Sequence, residues 1–389
     1  MSEPRADHGD VIELARTGLE SSASTSATIT DVKHLASYNW IEASSPTIAV
    51  PGSPARWSPP RGSRQVRKDS GLIYIAQNAA RHPSSPLEPL FRSLFIEQPS
   101  FDISSVDVVT DRNNIRKLLS FINPSLGKNG EPFTIQVDMA GQTAIFCRDE
   151  TATTEVIRPD EFRGYGHEFE KAYTVSQIRG STGHHRVISY RLGGLNFLVR
   201  HETDGYVEDV SLVETDTKST EDNLVNSLRS LSLSAEGITS AETPASSILT
   251  IRREGVVVPR ESTLEIKTRV SHKPLALREV APQLWVSQTP KLIRAYHQRG
   301  KFAAPEVEDV TAAVKDWEQS HQEDIKKLVA LISRILQLTR DWSGSSTIRY
   351  NPINDRLVVE RVKRKKALPD DLYTHWSRTH PDSSSSAQV

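Results

Sequence analysis

The sequence has a single cysteine, almost no net charge and no long apolar run, and each absence excludes a class of protein. One cysteine, Cys147, can form neither an internal disulfide framework nor a multi-cysteine zinc site, which fits a reducing compartment. No stretch approaches the roughly 20 apolar residues of a membrane span. The 48 basic and 49 acidic side chains nearly cancel, so any contact with nucleic acid must be local.

The N-terminus is polar and acidic and lacks the charged-then-apolar order of a secretion signal. We therefore expect a soluble protein of the nucleus, the cytoplasm or both, with no membrane partner.

Composition divides the 389 residues into one large domain and two low-complexity flanks. We expect residues 1–33 to be a disordered N-terminal segment and residues 369–389 a disordered tail, because both contain too few apolar residues to offset the entropy of ordering. Residues 34–368 should form the folded domain. Within it, the Ser-, Thr- and Glu-rich stretch 213–247 predicts a flexible insertion.

The apolar patterns of the large domain alternate between strand and helix periods. Helical spacing is clearest over residues 310–335, where apolar residues recur at steps of three and four. The fold class that follows is α/β (α+β), a mixed central β-sheet with flanking helices. The predicted helices also include Asn113–Phe121, His167–Thr174 and Gln288–His297, and the predicted strands are Asp107–Val109, Phe133–Val137, Ala144–Cys147, Val187–Leu192, Leu195–Arg200, Leu264–Val270 and Arg356–Val362.

Two of these strands place pairs of charged side chains on one face. An apolar strand runs directly into Glu202 and Asp204, whose two-residue spacing points both carboxylates to the same side. A later strand does the same with Glu265 and Lys267, while Ile266 between them points into the core. A third acid, Glu170, falls in a predicted helix. We expect these side chains to converge.

Carboxylates gathered at one place repel each other unless a cation compensates. Oxygen ligands without cysteine suit Mg²⁺ or Mn²⁺, which also hold substrate phosphates. A lysine beside such a site can orient the attacking water and stabilise charge on the phosphorus oxygens. The implied chemistry is hydrolysis of a phosphodiester or pyrophosphate.

A single Glu-x-Lys pair is weak evidence, because such pairs occur by chance and usually lie on a solvated edge strand. The order is more specific. An acid on a helix, then Glu-x-Asp and Glu-x-Lys on strands, then a further helix, is typical of the restriction-endonuclease-like PD-(D/E)XK nucleases.

The same stretches resemble the signature motifs of the decapping exoribonuclease family, over about residues 37–300. Gly166–Glu170 is similar to the family's Gly-Φ-x-Φ-Glu motif, Glu202–Asp204 to Glu-Φ-Asp, and Glu265–Lys267 to Glu-Φ-Lys. Two positions depart from the pattern, His167 and Thr203, where apolar residues are usual. All the charged positions of the three motifs are intact.

The resemblance implies a role for each of these residues. Lys267 and Gln288 would orient the nucleophile, with Gln288 also a substrate contact, and Arg112 would bind the scissile phosphate through its planar guanidinium. Arg116, one helical turn along, remains an alternative to Arg112. Two divalent ions, Mg²⁺ or Mn²⁺, would be held by Glu170, Glu202, Asp204, Glu265 and the backbone carbonyl of Ile266.

The implied substrate is the 5′ end of single-stranded RNA carrying a triphosphate, an NAD cap or an incomplete cap. The implied reactions are pyrophosphate release, removal of unusual caps and 5′→3′ digestion, and a 5′→3′ exoribonuclease is the implied protein partner. The main departure is a separation of about 60 residues between Asp204 and Glu265, longer than the family pattern, which the insertion explains.

Two alternatives belong to other classes. One is a DNA-directed nuclease of the same fold, which cleavage of matched RNA and DNA strands would distinguish. The other is a catalytically silent protein that binds an exoribonuclease, for which substitution of Asp204 or Lys267 would change no activity.

Overall fold

The computed structural model describes residues 10–19, 26–127, 131–208 and 241–377. Within these ranges no helix is both long and apolar enough to cross a membrane.

The strands alternate with short helical segments along the whole chain. In chain order they are β1 (Val11–Leu14), β2 (Thr30–Ile41), β3 (Thr47–Gly52), β4 (Arg56–Trp57), β5 (Arg64–Gln65), β6 (Gly71–Tyr74), β7 (Val108–Asp111), β8 (Phe133–Ala140), β9 (Thr143–Asp149), β10 (Thr154–Ile157), β11 (Thr174–Val175), β12 (Ser181–Leu192), β13 (Leu195–Glu202), β14 (Gly205–Tyr206), β15 (Ala241–Glu242), β16 (Thr250–Gly255), β17 (Thr263–Val270), β18 (Lys291–Gln298), β19 (Lys301–Phe302), β20 (Val307–Asp309), β21 (Ser345–Asn351) and β22 (Arg356–Val362).

The helices are mostly short, and the longest lies near the C-terminus. They are α1 (Gln77–Arg81), α2 (Glu88–Glu97), α3 (Arg112–Ile122), α4 (Gly166–Tyr173), α5 (Ala281–Ser287), α6 (Thr311–Ser320), α7 (Gln322–Asp341) and α8 (Asp370–Tyr373). Single 3₁₀ turns occur at Ile103–Ser105, Pro124–Leu126, Arg260–Ser262, Leu277–Glu279 and Thr374–Trp376.

The described strands form two large sheets and one two-stranded ribbon. The larger sheet has the order β1-β22-β21-β8-β9-β7-β13-β12-β2-β3-β16-β15, and the second runs β11-β4-β14-β17-β18-β19-β5 with β20 beside β18. Parallel pairs such as β13 with β7 and β17 with β18 stand among antiparallel ones, so both sheets are mixed. The ribbon consists of β6 and β10.

The main core lies between the larger sheet and helices α3, α5, α6 and α7. Helix α7 contributes buried residues at three- and four-residue steps, including Ile325, Leu328, Ile332 and Ile335. Glu323 and Asp324 in its first turn and Arg340 in its last complement the helix dipole. A second cluster forms where α2 packs against the sheet and the C-terminal residues.

The mixed sheet-and-helix class predicted from the sequence is confirmed, with two large sheets in place of one. All seven predicted strands are present, and most are a few residues longer than predicted. The apolar face predicted over residues 310–335 is buried, although it is shared by α6 and α7, which meet at His321.

One predicted helix is wrong. Gln288–His297 is not helical, because α5 ends at Ser287 and the chain continues as strand β18. Gln288 adopts a left-handed conformation with φ 51° and ψ 37°, and Pro290 cannot supply the N–H that helix continuation requires. Strand β18 is then stabilised by pairing with β17, a contact that the local sequence does not reveal.

The domain boundaries also need correction. The N-terminal segment was expected to be disordered, yet β1 pairs with β22, and Ala27 is buried. In the tail, α8 and the turn at Thr374–Trp376 pack on α2. The described residues of both segments are thus held by long-range contacts. The predicted insertion 213–247 lies outside the described residues up to residue 240, and Ala241–Glu242 pairs with β16.

Candidate active site

Strand pairing brings the acids of two distant segments together. Strand β13 ends at Glu202, and the chain then passes through Asp204 into β14, which pairs with the start of β17. The Asp204 carboxylate accepts a hydrogen bond from the backbone N–H of Ile266 at 2.7 Å. Asp204 therefore lies beside Glu265 although about 60 residues separate them in sequence.

Helix α4 supplies the third acidic segment. Its apolar face is fixed by Phe169 and Tyr173, whose rings stack 4.0 Å apart and pack with Trp57 and Phe302. With that face buried in the second sheet's core, Glu170 lies on the side of the helix that lines the cleft.

The cleft has a volume of about 890 Å³. It is lined by six of the side chains that the sequence predicted as functional, namely Arg112, Glu170, Glu202, Asp204, Glu265 and Lys267. The six side chains therefore share one cleft, and the roles predicted for them stay predictions.

Glu265 is the least exposed of the four cleft carboxylates that the sequence predicted, and it is surrounded by donors. Its side chain is 2% exposed and accepts hydrogen bonds from Lys267 and Gln283, and from Arg112 at 3.2 Å. Burial by itself would raise the pKa of this carboxyl, but the positive charges of Lys267 and Arg112 outweigh it and lower the pKa to about 2. Glu265 is therefore ionised at neutral pH.

The other three carboxyl groups are shifted in the opposite direction. Burial, followed by the charge of Glu265, raises the pKa of Asp204 to about 8. Burial and the charges of Asp204 and Glu202 raise the pKa of Glu170 well above its usual value. Glu202 reaches solvent in the cleft but is enclosed on its other sides, and its pKa is also raised, mainly by desolvation. The three acids thus disfavour each other's charge.

Lys267 balances part of this negative charge. Burial lowers its pKa, but the carboxylates of Glu265 and Asp204 raise it further, so the net shift is upward. The ammonium group is charged at neutral pH, is 32% exposed and lines the cleft. It can donate to a phosphate oxygen but cannot act as a general base.

Three other residues to which the sequence gave a role are not among the six cleft-lining side chains. Gln288 is outside the cleft lining, and its side-chain amide donates to the carbonyl of Trp285 at 2.5 Å. Arg116 is also outside the lining, which favours Arg112 as the phosphate ligand. Ile266 packs its side chain into the second sheet's core, and the role of its carbonyl stays a prediction.

The glutamine that reaches the acids is Gln283 on α5, which the sequence reading missed. It is 9% exposed and donates to the carboxylate of Glu265. A signal for it was present, since Gln283 is a polar side chain inside the otherwise apolar run APQLWV. The family resemblance pointed to Gln288, five residues further along the chain.

The sequence also did not predict an ion pair between two residues of the cleft lining, Asp111 and Arg200. Arg200 is 2% exposed and binds Asp111 through Nε at 2.6 Å and a terminal nitrogen at 2.9 Å. Asp111 directly precedes Arg112, the first residue of α3. The pair therefore anchors the strand end that positions Arg112.

The donor set fits a divalent cation, although the described residues contain no group of three Asp, Glu, His or Cys side chains already converged as metal ligands. Glu265 is held instead by Arg112, Lys267 and Gln283, and Asp204 by Ile266. The raised pKa values of Glu170, Glu202 and Asp204 indicate uncompensated repulsion, which a cation bound by oxygen ligands would relieve.

The architecture is similar to crystal structures of Rai1. Scheffersomyces stipitis Rai1 in complex with (3′-NADP)⁺ and calcium ion superposes with a TM-score of 0.59 and 14% identity, covering 94% of this chain and 99% of that one. Candida albicans Rai1 in complex with pU5 and Mn²⁺ gives 0.56 and 12% over 94% and 99%. S. pombe Rai1 with 3′-FADP gives 0.56 and 10% over 91% and 100%. The chain has the fold of the Rai1 decapping exoribonucleases that its motifs resemble.

Residues 9–376 match the family model described as a domain of unknown function, DUF8563, and the chain belongs to that family. No curated protein matches the sequence.

Proposed function

We propose that this protein is a metal-dependent hydrolase of RNA 5′ ends. The observation that carries the proposal is the presence, in one cleft of a Rai1-like fold, of four carboxylates with Lys267 and Arg112. The Rai1 structures with pU5 and Mn²⁺, with (3′-NADP)⁺ and with 3′-FADP support an RNA end or a dinucleotide-like cap as the ligand.

The side chains divide into three roles. Arg112 binds the scissile phosphate, since it is the guanidinium group that lines the cleft beside Glu265. Lys267 donates to the phosphorus oxygens as negative charge develops on them. Gln283 donates to Glu265 and takes the role that the family resemblance implies for Gln288, which is to orient the attacking water.

Glu170, Glu202, Asp204 and Glu265 would hold a divalent cation, with the Ile266 carbonyl as a further oxygen ligand. When bound, the cation would lower the pKa of the attacking water and neutralise part of the phosphate charge. The raised pKa values of three of these acids favour two ions, either Mg²⁺ or Mn²⁺. A nuclear or cytoplasmic location and a 5′→3′ exoribonuclease partner belong to the same proposal.

The test incubates purified protein with 5′-triphosphate, NAD-capped and fully capped RNA, and with a matched DNA strand, in Mn²⁺ and in EDTA. Mass spectrometry identifies the released 5′ product. We expect Mn²⁺-dependent release from at least one RNA. Preference for DNA would replace the RNA assignment, and no release from any strand would end the hydrolase proposal.

Two substitutions on α4 provide a matched pair. Glu170→Gln removes a cleft carboxylate, whereas Glu168→Gln alters a neighbouring acid on the same helix that does not itself line the cleft. We expect loss of activity for the first and near-normal activity for the second. Near-normal activity of both variants would show that the acidic cleft is not the catalytic site.

A further inference from the structure

The ribbon β6–β10 borders the cleft through its first strand. Among the described strands these two pair only with each other, with Leu72 opposite Val156 and Tyr74 opposite Thr154. Gly71, with φ +86°, begins the ribbon. The last three residues of β6 and the residue that follows it, Leu72 to Ile75, line the cleft.

The ribbon, together with the residue that follows its first strand, exposes three large apolar side chains. Leu72 is 57% exposed, Val156 62% and Ile75 38%. Leu72 and Val156 are cross-strand partners, so their exposed side chains adjoin. Contiguous apolar surface beside a cleft is typical of a binding site, whereas scattered apolar residues are ordinary on protein surfaces.

An aromatic ring on the same strand is held in place. The Arg81 guanidinium lies 4.9 Å from the centre of the Tyr74 ring. Arg81 is itself fixed by Glu42 at 2.6 Å and by the hydroxyl of Thr182 at 3.0 Å. Because Tyr74 and Leu72 are two residues apart, they lie on one face of the strand. This face combines an oriented ring with an apolar side chain.

The two parts of the cleft differ in chemistry. Arg112 and Lys267, whose side chains are 14% and 32% exposed, suit phosphate, and the more exposed segment Leu72–Ile75 suits a flat apolar group. A nucleotide contains both parts in one molecule. We propose that Leu72 and Tyr74 bind an unpaired nucleobase next to the 5′ phosphate of single-stranded RNA, an inference that rests on the proposed function.

Such a contact would be indifferent to sequence, because every base offers a flat face to an aromatic or apolar side chain. It would also add affinity that phosphate contacts alone cannot supply. The ribbon would thus require an unpaired 5′ end, since a base in a duplex is not free to leave its stack.

The experiment measures binding of a 5′-phosphorylated, 3′-labelled oligouridylate by fluorescence anisotropy in Ca²⁺. The same RNA with an abasic ribose at the first or second nucleotide retains its phosphates but lacks one base. We expect the protein to bind the intact RNA roughly tenfold more tightly than at least one of the two abasic RNAs. In the double variant Leu72→Ser, Tyr74→Ala that difference should disappear.

A control substitutes an apolar residue that is exposed elsewhere. Ile353 is 89% exposed in the turn between β21 and β22, outside the cleft lining, so Ile353→Ser should keep the full preference for intact RNA. Thermal unfolding confirms that each variant is folded. The proposal would be overturned if the double variant bound intact and abasic RNA more weakly by the same factor, so that the preference for intact RNA remained. The ribbon would then act through the shape of the cleft.

Failure of the two proposals can be told apart. If the unmodified protein binds intact and abasic RNA equally while still hydrolysing RNA ends, the nucleobase contact is wrong and the proposed function stands. If it binds no RNA under any condition, both are wrong.

Discussion

Arg112 and Glu265 form an ion pair across the cleft, with the Arg112 terminal nitrogen 3.2 Å from the Glu265 carboxylate. The pair joins the first residue of α3 to strand β17, and both side chains are largely buried. It lowers the pKa of Glu265 and holds the guanidinium where a phosphate group would bind.

The choice between Arg112 and Arg116 can be tested with matched lysine substitutions. Arg112→Lys keeps the charge but loses the forked geometry, so we expect kcat/KM for RNA 5′ ends to fall roughly tenfold or more. Arg116→Lys should stay within about twofold because Arg116 does not line the cleft. The reverse ranking would assign the phosphate to Arg116.

Gln283 and Gln288 make opposite predictions. Gln283→Leu removes a donor to Glu265 and should lower kcat by about tenfold or more. Gln288→Gly should be tolerated, since glycine adopts the left-handed conformation at that position without strain. Steady-state kinetics and thermal unfolding of both variants check this. A catalytic defect in Gln288→Gly alone would restore the sequence-based assignment.

Metal binding should reverse the stability order of the Asp204→Asn variant and the unmodified protein. Above pH 8 in EDTA, where Asp204 would otherwise be charged among like charges, the variant should have the higher Tm. In saturating Mn²⁺ the unmodified protein should gain about 2.7 kcal/mol at a hundred times Kd, and the variant much less. The same order in both buffers would argue against a cation at these acids.

Glu97 predicts a pH dependence of stability away from the cleft. Its carboxylate accepts the Ser37 backbone N–H at 2.7 Å, and burial raises its pKa from 4.5 to about 7. Between these pH values the folded protein holds a proton that the unfolded chain releases. Its stability therefore falls as pH rises, by at most about 1.4 kcal/mol per pH unit.

Glu97→Gln keeps an acceptor for Ser37 and should remove this slope in urea unfolding at several pH values. Glu323, whose side chain is 82% exposed, provides the control, and Glu323→Gln should leave the slope unchanged. An unaltered slope in Glu97→Gln would assign the titration to another group.

The C-terminal residues should contribute to stability. The Trp376 indole donates to the Thr143 hydroxyl at 2.8 Å and packs edge-on against Phe91, with ring centres 5.5 Å apart. We expect Trp376→Ala to lower the free energy of unfolding by about 1–3 kcal/mol and Trp376→Phe by about 1 kcal/mol. The exposed neighbour Ser377 is the control, as Ser377→Ala should change little. No loss in Trp376→Ala would mean that the tail is not docked in solution.

The sequence alone predicted seven of the described strands, the helical patterns of α3, α4, α6 and α7, and the acidic motifs. Alternating and helical patterns are local, so β13, β17 and α4 could be predicted together with the faces of Glu202, Glu265 and Lys267.

What the tertiary structure decided depends on contacts between distant segments. Because β18 pairs with β17, the segment predicted as a helix is a strand. The glutamine that contacts Glu265 is Gln283 and not Gln288. Likewise β1 and Trp376 are ordered only because they pack against residues far along the chain, and no local pattern encodes the partner that stabilises them.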